Sequence, residues 1–218
     1  VLDAQLDFAR ENSNIILEFK TKSKNIAHLL KTDIPDNVFV SWSLNPQVFI
    51  DHEEHGTASL DQRLSCAKSL SDKGVLVGFH FHPIVYYEGY EDDYKNIVNK
   101  VMSMFEPHQI AMISMGTLTF IKPAINKLRS AGLKSKVLQI PMVDAVGKSS
   151  YTKEVKAEIF SNVYNEFRAW HNDLFFYLCM EESSIWESVF GDYYKSNVDF
   201  ETALFESVSS KMKPLEIA

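Results

Sequence analysis

Six short apolar runs, each separated from the next by a longer stretch of helical spacing, decide the fold class of this chain. The runs are Ile15–Phe19, Val38–Trp42, Val75–Phe81, Ile110–Ser114, Val137–Ile140 and Leu174–Cys179, all rich in β-branched and aromatic residues. Strands buried on both faces read as continuous apolar runs, and helical crossovers between them make their sheet parallel. The expectation is an α/β fold of six strands, most of them followed by a helix. Such units form either an open sheet or a barrel, and both put ligand-binding loops beyond the C-terminal ends of the strands.

Several helices carry their own boundary signals. Val1–Glu11 reads as a helix, and Ser59, Asp61 and Arg63 open another that runs through Leu70 and stops before Gly74. Glu91 to Phe105 is a third, ended by Pro107. Tyr151–Trp170 carries Val155, Ile159, Val163, Phe167 and Trp170 at three- and four-residue steps.

The 218 residues, 45% of them hydrophobic, suffice to bury a substantial core as one α/β domain over 1–218. A net charge of −7 weighs against long-range attraction to nucleic acid or anionic membranes. Cys66 and Cys179 stand in unrelated settings, as expected for reduced thiols in the cytoplasm and not for a disulfide framework. No apolar run reaches the roughly 20 residues of a membrane-spanning helix. Walker, dinucleotide-binding and nucleophile-elbow motifs are absent from the sequence.

The strand ends hold the candidate chemistry. Lys20 and Lys22 share one side of the first strand's exit, where a cation can meet a carboxylate or phosphate or stand solvated at a turn. Ser41 and Ser43 share a face, and Pro46 keeps Asn45 extended. His80 and His82 place two imidazoles on one face of the third strand, a spacing that suits metal ligation with Asp51, His52 or His55, or the polar lining of a pocket. Gly116 permits close backbone approach to a ligand or a tight turn. Asp144, Gly147, Lys148 and Tyr151 form a polar loop ahead of a long helix, where Lys148 and Tyr151 can contact an anion or serve as capping residues.

Taken together, Lys20-Thr21-Lys22, Ser43-Leu44-Asn45-Pro46, Glu54-His55-Gly56-Thr57 through Leu64, and Val77-Gly78-Phe79-His80-Phe81-His82-Pro83-Ile84 followed by Tyr87–Glu91 resemble the spore photoproduct lyase family of radical SAM proteins. Ile113–Thr117, Gly147-Lys148 with Tyr151, and Tyr177–Glu181 with Trp186 extend the likeness over nearly the whole chain. The resemblance implies part of a (βα)6 radical SAM partial TIM barrel. It also implies S-adenosylmethionine (AdoMet) and a 4Fe–4S cluster as cofactors, and a deoxyadenosyl radical that abstracts hydrogen from a substrate, in the type family a thymine dimer in DNA. Lys22 corresponds to the lysine that meets the methionyl carboxylate, and Ser43 to a serine near it. Asn45 and His80 join them as implied cofactor-binding residues, with His82, Lys148 and Tyr151 on the substrate side.

Two departures qualify the resemblance. The C-x3-C-x2-C loop that holds the family's cluster does not occur, so the chain is expected to be the C-terminal part of the barrel, without the cluster and inactive by itself. Ser150 stands where many relatives carry an arginine facing DNA. Two alternatives stay open beside the lyase reading. One is a metal-dependent hydrolase built on His80 and His82; the other is a non-catalytic module that pairs with another chain or with itself.

Overall fold

The computed structural model describes residues 1–132, 137, 142–145 and 148–212. Five strands form one sheet: β1 (Leu17–Thr21), β2 (Val38–Ser43), β3 (Val77–Ile84), β4 (Ile110–Thr117) and the late strand β8 (Phe176–Leu178), in the order β1-β2-β3-β4-β8. Every pair is parallel. The expected strand Val137–Ile140 lies, apart from Val137, outside the described residues, as does Gly147.

Helices α1 (Leu2–Glu11), α2 (Ala27–Lys31), α3 (Gln47–Glu53), α4 (Leu60–Asp72), α5 (Tyr90–Met104), α6 (Lys122–Ser130), α7 (Lys153–Glu166), α8 (Ser183–Phe190) and α9 (Asn197–Ser209) complete the main architecture. Their ends follow local chemistry. Ser59 and Gln62 close a reciprocal capping box on α4, and Gly74 takes a φ of +91° just past its end, a conformation that costs a side chain dearly and glycine nothing. Thr152 caps α7 by accepting a hydrogen bond from the Val155 N–H.

Strand alternation then sorts the side chains. Val40, Trp42, Phe79, Phe81, Ile113, Met115 and Leu178 pack with Leu64, Leu70, Tyr94, Val98, Phe160 and Val163 of the helices in the main core. The other face is turned away from those crossover helices, and we call it the inner face. Its lower part is apolar: Phe39, Leu76 and Met112 are covered by Val208 of α9, with Leu204 and Met212 against them.

The segment expected to be a polar loop is more ordered than its sequence implies. Asp144 and Lys148 lie in two short strands, β6 (Val143–Ala145) and β7 (Lys148–Ser150), which join β5 (Thr119–Ile121) in an antiparallel sheet of order β5-β7-β6. Three-residue strands are too short to show a period, so pairing partners define them instead. Ser150 is fully buried there, its Oγ donating to the Leu118 carbonyl at 2.8 Å. Among the described residues no helix is long and apolar enough to cross a membrane.

Candidate functional site

Above the apolar floor the inner face becomes polar. The register sets Ser43 opposite His80, His80 opposite Ser114, and Ser114 opposite Tyr177. Lys22 follows the end of the first strand, one residue beyond the paired Thr21 and Trp42. Two hydroxyls, an imidazole and a phenol thus stand level across four neighbouring strands, with the Lys22 cation just past the end of β1. Parallel sheets deliver this arrangement because residues at equal height converge at the C-terminal edge.

Beneath Lys22 and Ser43 lies a residue that motif reading passes over. Glu18 of β1 accepts a hydrogen bond from His80 Nε2 at 2.6 Å, and the same carboxylate oxygen accepts the Ser41 hydroxyl. Burial opposes its ionisation, but the His80 and Ser41 bonds and the charge of Lys20 outweigh it and hold the carboxyl below its ordinary range. Burial also depresses His80, more strongly than Glu18 supports its charged form, which favours the neutral imidazole. The only sequence signal for Glu18 was its place two residues before Lys20 on an alternating strand.

The second imidazole is held differently. His82 Nε2 lies 2.8 Å from Ser114 Oγ, and its ring lies against Gly116, where an added Cβ would come within 3.1 Å of it. Gly116 therefore admits a neighbouring side chain, not a turn, and it sits inside β4. Burial, then Lys20 and His80, push the pKa of His82 down to about 3. The two rings are 5.3 Å apart.

Lys22, Asn45 and the Glu54 loop form a charged network at the strand ends. Glu54 is accepted into the interior because three donors meet it: Lys22 Nζ at 2.6 Å, Asn45 Nδ2 at 2.8 Å and Arg63 Nη2 at 2.6 Å. Arg63 has no exposed surface and also donates to the Ser43 and Ala58 carbonyls. Burial opposes ionisation of Glu54, yet these bonds keep its carboxyl below the usual value. Asn45, expected at the ligand, spends its amide inside the protein: Nδ2 on Glu54, Oδ1 on the Tyr94 hydroxyl. It braces the loop, whereas Lys22 keeps about a third of its side chain exposed.

The remaining candidates separate. Tyr151 is buried, and its hydroxyl accepts the Tyr86 N–H at 3.1 Å, so it too acts as a brace; burial raises its pKa to about 12. Lys148 is exposed on the small sheet. His52, His55 and Asp51 are exposed on and beyond α3, and among the described residues no group of three or more His, Cys, Asp or Glu side chains is placed to hold a metal ion. That leaves the hydrolase alternative without a third ligand. A cluster fares no better: Cys66 bonds the Lys24 carbonyl from α4, and Cys179 follows β8. AdoMet suits the site better, since a carboxylate-seeking lysine, hydroxyls and a buried imidazole share one row. A cavity of about 350 Å³ adjoins that row through Tyr177 and Cys179 and is walled by Trp186, Tyr194 and Phe200.

Comparison with known proteins gives this geometry its relatives. A model of the spore photoproduct lyase family matches residues 1–143. The spore photoproduct lyase of Geobacillus sp. (strain Y412MC61) is 28% identical over 123 residues, 56% of this chain and 36% of the relative. That of Clostridium acetobutylicum is 23% identical over 181 residues, 78% of this chain and 53% of the relative. A solved spore photoproduct lyase complexed with dinucleoside spore photoproduct superposes with a TM-score of 0.62 at 22% identity, over 75% of this chain and 51% of that one. A mutant with bound AdoMet and the same dinucleoside has the same TM-score, identity and coverage. The chain thus spans about half of the solved relatives' length, and its five-stranded parallel sheet has the fold of their radical SAM partial TIM barrel.

Proposed function

This chain belongs to the spore photoproduct lyase family, and on that premise we propose that its inner face binds AdoMet and presents it to the substrate of a radical lyase that acts on a DNA photolesion. The observation that carries the reading is the transverse row of Lys22, Ser43, His80, Ser114 and Tyr177 at the C-terminal edge of the sheet. When bound beside a 4Fe–4S cluster that gives it one electron, AdoMet would split into methionine and the deoxyadenosyl radical that abstracts hydrogen from the substrate. The residues of this chain do the binding and orienting. Lys22 meets the methionyl carboxylate, exchanging part of its bond with Glu54 for a second anion while Arg63 and Asn45 keep Glu54 neutralised. Ser43 and His80 lie beside it as hydrogen-bonding groups. His82, neutral and fixed by Ser114, lines the substrate side without adding charge.

For the substrate, exposed Lys148 is the cation on the small sheet that can meet a phosphate, a role Ser150 cannot share from its buried position. Calorimetric titration of AdoMet into the wild-type chain and Lys22→Ala tests the reading. Loss of one charge-assisted bond, about 1.5–3 kcal/mol, predicts a fall in affinity of roughly tenfold to a hundredfold. Equal affinities would remove Lys22 from the site, and no binding by the wild type would overturn the reading.

A further inference from the structure

We propose that Glu18 is a positioning residue of this site: its carboxylate holds His80 in the Nε2–H form and leaves Nδ1 bare, as the acceptor for a hydroxyl or amino hydrogen of the adenosyl group. The ligand named here rests on the AdoMet reading above. A carboxylate can only accept, so the 2.6 Å contact between Glu18 Oε1 and His80 Nε2 puts the proton of a neutral imidazole on Nε2. The Ser41 hydroxyl, donating to the same oxygen, fixes the carboxylate in turn. Nδ1 is then a lone pair with a set direction.

Among the described residues nothing donates to that lone pair. His80 is 3% exposed, and its Nδ1 is buried without a hydrogen-bond partner among the described residues. Native interiors leave few such atoms unpaired, and each one calls for an explanation. Ser71 Oγ, the other such atom among the described residues, belongs to the last turn of α4, by the opposite ends of the strands. His80 instead stands in the row of Ser43 and Ser114, where the ligand is placed. The charges around it keep the arrangement: Lys20 supports the ionised Glu18, and the neighbouring His82 ring is neutral.

A purely structural Glu18–His80 pair would need Nε2 alone, and two substitutions separate the possibilities. His80→Gln places an amide where Nε2 was and can keep the Glu18 bond, but offers nothing at Nδ1. Glu18→Gln can turn either amide atom toward the ring and so releases the tautomer. The wild-type chain, labelled with ¹⁵N in its imidazoles, is expected to show His80 as the Nε2–H tautomer with an Nδ1 resonance that moves on adding AdoMet. Glu18→Gln should show a mixture of tautomers. By calorimetry, His80→Gln should bind AdoMet about tenfold more weakly, the loss of one hydrogen bond.

An Nδ1–H or doubly protonated His80 in the wild type would overturn the inference, as would equal AdoMet affinity in wild type and His80→Gln. Failure of the wild type to bind AdoMet at all overturns the AdoMet reading and the ligand named here with it. The tautomer spectrum still decides whether Glu18 sets His80.

Discussion

Arg63 shows what a single side chain contributes at these strand ends. Fully buried, it ties the Ser43 and Ala58 carbonyls to Glu54. Replacing it with methionine fills much of the volume but leaves a buried carboxylate short of a partner. Breaking a buried pair in this way costs about 3–5 kcal/mol, so Arg63→Met should lower the urea midpoint markedly without changing the slope. An unchanged midpoint would show that Lys22 and Asn45 suffice for Glu54. His82 makes a prediction in pH. An unfolded imidazole takes up its proton near pH 6.5, whereas folded His82 resists until about pH 3. Between those values the unfolded state binds more protons, so stability falls as pH falls, by at most about 1.4 kcal/mol per pH unit from this group. Glu18 and Glu54, whose carboxyls are lowered, add loss of the same sign at the acid end. Urea unfolding at pH 7 and pH 5 should show a shallower dependence in His82→Gln than in wild type, though not a flat one, because His80 is lowered as well.

Among the elements, α9 seals the apolar floor under the polar row. Val208 is 2% exposed against Phe39, Leu76 and Met112. Val208→Asp buries an unpaired carboxylate there and should destabilise by several kcal/mol, read as a lower thermal midpoint; an unshifted midpoint would mean the floor stands without α9. How legible these elements were in the sequence follows from what each buries. The central strands β2, β3 and β4 announce themselves because both faces are covered, and helices α4, α5 and α7 because one face is apolar and their ends carry caps or glycine. The small antiparallel sheet was not legible, since polar three-residue strands have no period. Neither was the burial of Arg63, which reads as an exposed residue in a first helical turn, nor that of Tyr151, whose hydroxyl finds its partner 65 residues away at Tyr86. Lys22, Ser43, His80 and His82 were legible as strand-end polar groups. Glu18, the residue that orders two of their neighbours, was hidden inside a strand because only the register reveals what stands beside it.

At the scale of the molecule, five parallel strands divide an apolar floor from a polar edge, and the residues assigned to AdoMet lie at that edge. Under the proposed function, AdoMet is the ligand to seek there. The two cysteines leave a cluster without a ligand set among the described residues. A crystal structure of the chain grown with saturating AdoMet tests the AdoMet reading most directly. Density for the ligand is expected from Lys22 through Ser43 to His80, with its carboxylate at Lys22 and an adenosyl hydroxyl or amino group facing His80 Nδ1. Density elsewhere, for instance in the cavity walled by Trp186 and Phe200 alone, would contradict that reading.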